Sequence, residues 1–393
     1  MRLLLIGFTA ILLSFVGSSN ARACPACGTV LEPTLSERFA GSDAAVLAKW
    51  VSARRASEDG KQPPQTMLDI LQIARGGGLG LKKGGRIAVP FFVNSEAGTP
   101  FFLTAKKPAS SGKTAGVRWS VPKELSETAY FYITQAPSPE VPAVKRLRFF
   151  RKFLEFPDSL VADDAYNEFA KAEFKHIKAI ADSFSRKKLR RWLRDKKTPQ
   201  THIGLYGIML GLCGTKADLP LLEKTLRHTK SEFRMGIEGI ISGYVLIAGD
   251  KGLDLIDRVK LRDKTAPVGE VFMAMQALRI LWTYGEGKVS HARLKRSMRI
   301  VLDRTDYGEL MLADLARWKD WEVMGRVVKM YGRKGAGLRG FKIAAIRYLM
   351  AAVKDVPQTG GKPGPHVAKA RAHLETIKKT DPKMYRAAVR MLL

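Results

Sequence analysis

AYFYITQAPSPEVPAVKRLRFFRKFLEF, residues 129–156, holds the turning point of the chain. Its first eight residues are rich in aromatic and β-branched side chains and read as a strand. Three prolines follow within six residues, at 137, 139 and 142, and break any regular element. From about Val141 onward the apolar spacing has a period of 3.6. The fold therefore divides here, strands before and helices after.

Upstream, short apolar runs alternate with clusters of Gly, Pro and Ser. AAVLAKWV (44–51), MLDILQIA (67–74), GRIAVPFFV (85–93), PFFLTAK (100–106), GVRWSV (116–121) and AYFYITQA (129–136) are read as strands. RRASEDGKQPPQ (54–65), RGGGLGLKKGG (75–85) and KKPASSGKTAG (106–116) are the loops between them, and LSERFAGSD (35–43) is a short helix. Five or six short strands in so few residues predict a small antiparallel barrel or sandwich. Downstream, Leu205, Ile208, Met209 and Leu212 share a helical face, as do Ile237, Ile240, Ile241 and Tyr244. Val271, Met275, Leu278 and Trp282 repeat the pattern, as do Ile343, Ile346 and Met350. About twelve to fourteen helices, pairing at loosely 35–45 residues, predict a HEAT-like α-solenoid. The expected fold class is α+β multidomain. Its parts are a barrel over 24–140, a helical repeat over 141–355, a linker at 356–366 and basic helices over 367–393.

The first 23 residues, MRLLLIGFTAILLSFVGSSNARA, carry a basic start at Arg2 and an apolar run. They end on Ala21-Arg22-Ala23, an A-x-A cleavage signal. The run is about 14 residues, short of the roughly 20 that span a bilayer. The expectation is an exported chain, periplasmic, cell-surface or secreted, cut between Ala23 and Cys24 and soluble once processed. A lipobox would place Leu where Ala21 stands and a small residue where Arg22 stands.

Charge is the outlying quantity: 67 Lys+Arg against 37 Asp+Glu give a formal net charge of +30. Such an excess favours anionic partners, an acidic polymer or an acidic protein, or else marks a solvated basic surface. Two basic-aromatic stretches stand out, KRLRFFRKFLEF (145–156) and SRKKLRRWLRDKK (185–197), and the second holds the candidates. On a helix there, Leu189, Trp192 and Leu193 form an apolar stripe, and Lys187, Lys188, Arg190, Arg191, Arg194 and Lys197 cover much of the rest. These six are the anion-binding candidates. No DNA- or RNA-binding signature accompanies them.

The cysteines leave several readings open. Cys24-Pro-Ala-Cys27 is followed by Gly28, so it is no CxxCH haem site. No core strand precedes it, as a thioredoxin dithiol would require, and no second CxxC or HxxxH pair completes a zinc site. In an oxidising compartment a local Cys24–Cys27 disulfide is the simplest reading; chelation through Cys24, a redox role and lipidation stand beside it. Cys213 lies on an apolar helical face and reads as a small hydrophobe. Gly112-Lys113-Thr114 lacks the first Gly of a phosphate-binding loop, Lys107 standing there. HExxH and GxSxG are absent, the six His are scattered, and adjacent Asp163 and Asp164 read as first-turn acids of a helix. The expectation is a non-enzymatic protein without a cofactor.

A leading Cys24, a second Cys nearby and then LSERFAGSDAAVLAKWVSAR (35–54) resemble the opening of tissue-inhibitor-of-metalloproteinase and netrin-like domains. Ser42-Asp43 and Lys49-Trp50-Val51 stand at that family's positions, and LQIARGGGLGLKKGGRIAVPFF (71–92) is similar to its next strand pair. The resemblance covers about residues 24–136 and implies an OB-fold barrel. It also implies a second function, metalloprotease inhibition, with the Cys24 amine and carbonyl on the target's zinc. The inhibitors begin C-x-C and pair those cysteines deeper in the barrel, whereas here the next Cys after Cys27 is Cys213. Barrel and helical half together look like a class of exported proteins found in planctomycetes. A third function is thiol oxidoreduction through Cys24 and Cys27.

Overall fold

A computed structural model of the chain describes residues 32–107, 117–227, 234–304, 307–333, 338–357 and 361–390. The leader, the cleavage site Ala23–Cys24 and Cys27 lie outside these residues. The fold is α+β: a curled antiparallel sheet followed by helices.

The sheet comprises β1 (Ala44–Arg54), β2 (Gln65–Arg75), β3 (Arg86–Val89), β4 (Pro100–Lys106), β5 (Arg118–Trp119) and β6 (Lys123–Glu124). The order is β3-β2-β1-β4-β5, with β6 also on β4. Register shifts between β1 and β2 at Ala45/Val46, Leu47/Ala48 and Trp50/Ser52 raise the local twist, so the sheet curls into a half-barrel. Strand alternation separates two cores. Val46, Ala48, Leu68, Ile70, Phe101 and Leu103 pack inside the curl, while Ala45, Leu47 and Phe102 face the helices. Buried on both faces, β1 opens as the unbroken apolar run AAVLA.

Helix α1 (Leu35–Ala40) starts in a capping box between Thr34 and Glu37. The segment predicted as a last strand is instead helix α2 (Glu127–Gln135). Ser126 caps it, its hydroxyl accepting from Ala129 N at 3.0 Å. Ala129, Tyr130 and Ile133 then bury one helical face while Phe131 stays exposed. Tyr132 turns the other way, into an aromatic cluster with Phe149, Phe150 and Phe153. The local β propensity of Tyr-Phe-Tyr-Ile loses to a cap and to a sheet face that needs covering.

The remaining helices follow in chain order: α3 (Ala143–Phe150), α4 (Ser159–Lys171), α5 (Phe174–Lys178), α6 (Arg186–Trp192), α7 (Gln200–Cys213) and α8 (Leu219–Arg227). Then come α9 (Ile237–Ala248), α10 (Gly252–Ile256), α11 (Val268–Tyr284), α12 (His291–Ile300) and α13 (Gly308–Arg317). Last are α14 (Met324–Tyr331), α15 (Leu338–Lys354), α16 (Pro365–Thr380) and α17 (Pro382–Arg390). Asp163 and Asp164 sit past the first turn of α4, whose cap is Asp158, so the first-turn reading is corrected.

Helix α7 packs on α9, α9 on α11, α13 on α15, and α16 and α17 on α15. The α7–α9 contact is backbone on backbone. A Cβ at Gly239 would lie 2.0 Å from Gly204 O, and one at Gly243 would lie 2.0 Å from Gly207 O. Only glycine permits that approach. Trp282 of α11 lies flat on Trp318, centroids 4.3 Å apart, next to the Arg279–Asp314 ion pair. One apolar core runs from Leu35, Leu47 and Phe102 through these helices to Ala388.

Candidate anion-binding site

The SRKKLRRWLRDKK segment folds as α6, capped by Ser185, whose hydroxyl accepts from Lys188 N. Leu189 and Trp192 are buried and Leu193 is half-buried, which is the apolar stripe expected. Trp192 packs on Tyr206 of α7 with ring centroids 4.9 Å apart. Two arginines that flank the stripe also hold α6 in place. Arg186 donates to the fully buried Asp218 through Nε at 3.1 Å and Nη2 at 2.8 Å, and Arg190 Nε lies 3.5 Å from the other oxygen. Asp218 in turn accepts from Thr215 N at the α7–α8 connection. Arg190, one of the six candidates, is thus committed to the fold.

The other five are exposed: Lys187, Lys188, Arg191, Arg194 and Lys197. None forms an ion pair among the described residues. Lys187, Lys188, Arg191 and Arg194 line one open groove of about 730 Å³ with Ser185 and Asp195. Lys197 lies past the helix, its backbone N–H on Asp195. The arrangement offers four basic side chains to one ligand.

A polar clasp away from α6 lines a hollow of about 220 Å³ through Glu37, Arg146, Glu168 and Lys171. Thr34 and Ser36 hydroxyls donate to Glu168, Leu35 N donates to Asp164 at 2.8 Å, and the Tyr132 hydroxyl donates to the other Asp164 oxygen at 2.9 Å. Arg146 closes on Glu168 and Lys171 on Glu37. This clasp ties α1 to α4. Burial pushes the Asp164 carboxyl up to about 6, the nearby Glu168 adding to it. Sequence reading missed the clasp because the contacts of Thr34, Leu35, Ser36 and Glu37 with α4 join residues 129–134 positions apart.

His202 is a second such knot. Its Nδ1 lies 2.9 Å from Glu155, which also accepts from the Tyr206 hydroxyl, and its ring stacks on Tyr166. Glu155 sits at φ 52°, a left-handed conformation rare for a side-chain residue. His202 is only 3% exposed, so the knot braces α7 and no ligand reaches it. Burial raises the Cys213 thiol to about 11, so it stays protonated at neutral pH as a small hydrophobe. Among the described residues no group of three or more His, Cys, Asp or Glu is placed to hold a metal ion. Nor is any helix among them long and apolar enough to cross a membrane. No protein-family model, no curated protein and no solved structure matches the chain.

Proposed function

We propose that this is an exported, non-enzymatic binding protein that captures an acidic polymer, or a protein presenting an equivalent run of acid groups, on the outer face of α6. One observation carries the proposal: four exposed cations without ion-pair partners among the described residues converge on a single groove. Four cations against the single carboxylate of Asp195 leave the groove with excess positive charge in a chain that is already strongly basic, so an anionic partner gains by releasing counterions.

The finer reading of the fold belongs to the same proposal. The curled sheet is read as an OB-like barrel of the netrin kind. The packing of α7 on α9 and α9 on α11, helices two apart in the chain, supports a HEAT-like solenoid. The leader directs export, and α6 lies on the flank of the solenoid as its docking surface. The readings built on Cys24 and Cys27, an inhibitor or an oxidoreductase, rest on residues outside those described, and the groove favours neither.

The test is retention of the secreted chain on immobilised heparin and on polyphosphate under a NaCl gradient. The triple variant Lys187→Glu/Arg191→Glu/Arg194→Glu is expected to elute at clearly lower salt than the wild type. Retention that ignores salt, or a triple variant that elutes with the wild type, sinks the proposal.

A further inference from the structure

On the inner side of α6 lies a second hollow, of about 230 Å³, that shares Ser185 and Lys188 with the groove. Its floor is Leu154, Phe184, Leu189, Trp192 and Met209, all buried and apolar. Its rim is Arg151, Lys152 and Lys188, and no carboxylate lines it. Arg151 donates through Nη1 to Ser183 O, but its buried Nε has no hydrogen-bond partner and the guanidinium makes no ion pair among the described residues. With Nη1 taken by Ser183 O and no carboxylate beside it, the guanidinium still has an Nη2 donor to offer an anionic head group.

We infer that this hollow binds the chain of a single-chain fatty carboxylate, with the head group on Arg151, Lys152 and Lys188. The inference rests on the reading of α6 as an anion-binding element and adds a second ligand class on its inner side, distinct from the polymer on the outer face: an anion carrying an alkyl tail. An all-polar anion leaves the apolar floor empty, and a neutral alkane leaves three cations unpaired. The volume is below the about 300–1,000 Å³ of drug-sized sites, which admits one short chain and excludes a diacyl lipid. The pocket is assembled across the fold, since Arg151 and Lys152 precede α4, Lys188 belongs to α6 and Met209 to α7.

Calorimetric titration of the full secreted chain with acetate, hexanoate, octanoate and decanoate tests this, with heparin as a parallel arm. Affinity is expected to rise about fourfold per added methylene until the pocket is full. Octanoate binding is expected to fall about tenfold in Lys152→Glu and in Lys188→Glu. Met209→Phe, which fills the floor, should abolish octanoate binding and leave heparin binding intact. Should Met209→Phe fail to fold, the two rim variants carry the test, because both residues are exposed. Acetate binding as well as octanoate, or octanoate affinity unmoved by the rim variants, overturns the inference. Heparin binding without octanoate binding also overturns it and leaves the proposed function standing; loss of both in the wild type removes the two together.

Discussion

The seam around Glu270 and the outer face of α6 use the same residue types to opposite ends. Glu270 and Lys260 are both fully buried and joined to each other, and Arg234 closes on the second Glu270 oxygen. Burial works to raise the Glu270 carboxyl, but hydrogen bonds from Arg234 and Lys260 outweigh it and hold it below the ordinary range. On α6, Lys187, Lys188, Arg191 and Arg194 face solvent with no such partner among the described residues. A cation inside is tied to one geometry because an unpaired charge there is expensive. The same cation outside costs almost nothing to hold and remains available to a ligand. Arg186 and Arg190 show the dividing line on a single helix: they point at buried Asp218, and their neighbours point away.

The comparison breaks most severely at the tightest interior contact. Gly243→Val puts side-chain atoms onto Gly207 O, where even a Cβ would lie at 2.0 Å, and α7 and α9 must separate. A loss of about 4 kcal/mol or more is expected, read as a collapsed urea midpoint or insoluble protein. A midpoint within experimental error of the wild type would refute the backbone-on-backbone contact.

Next is Glu270→Gln, which leaves Lys260 and Arg234 buried without their counter-charge. It is expected to cost about 3–5 kcal/mol. Replacing all three by apolar residues of similar size should recover most of that loss. If the single variant and the triple are equally unstable, packing and not charge governs the seam.

Asp164 gives a pH-dependent and smaller effect. Its carboxyl is raised to about 6 from the ordinary 3.8 by burial, so the folded chain binds a proton that the unfolded chain does not between those values. Stability from this group therefore rises as pH falls through about 6 and levels off below the unfolded value. The gain is at most about 3 kcal/mol. Glu270, held low, has the opposite sign and loses its contribution as pH falls. Comparing urea midpoints at pH 7.5 and 5 isolates the Asp164 part: wild type should gain relative to Asp164→Asn. An identical pH response in the two proteins would remove the group from the account.

Smallest of all in stability is the α6 triple charge reversal. Each exposed site is expected to shift stability by no more than about 0.5 kcal/mol, although anion retention falls. A large loss of stability would mean that the outer cations brace the fold as Arg186 and Arg190 do.

Much of this was legible in the sequence, because the signals concerned are local. The order of strands before the long run of helices was legible, although the sheet ends at β6 and α2 begins before the change of period near Val141, and the runs at 44–51, 67–74 and 100–106 fall within β1, β2 and β4. The stripe of Leu189, Trp192 and Leu193 fixes which side of α6 faces inward, since helical spacing alone assigns it. What the tertiary structure decided is non-local. It made 127–135 a helix, because the sheet face presented by Phe102 of β4 required cover and Tyr130 packs on it. It took Arg190 out of the candidate set by bringing Asp218 beneath it, and set Gly204, Gly207 and Gly211 against Gly239 and Gly243. It joined Arg151 and Met209 around one hollow. Periodicity says which way a side chain points; what waits there depends on burial and on partners that only the folded chain brings together.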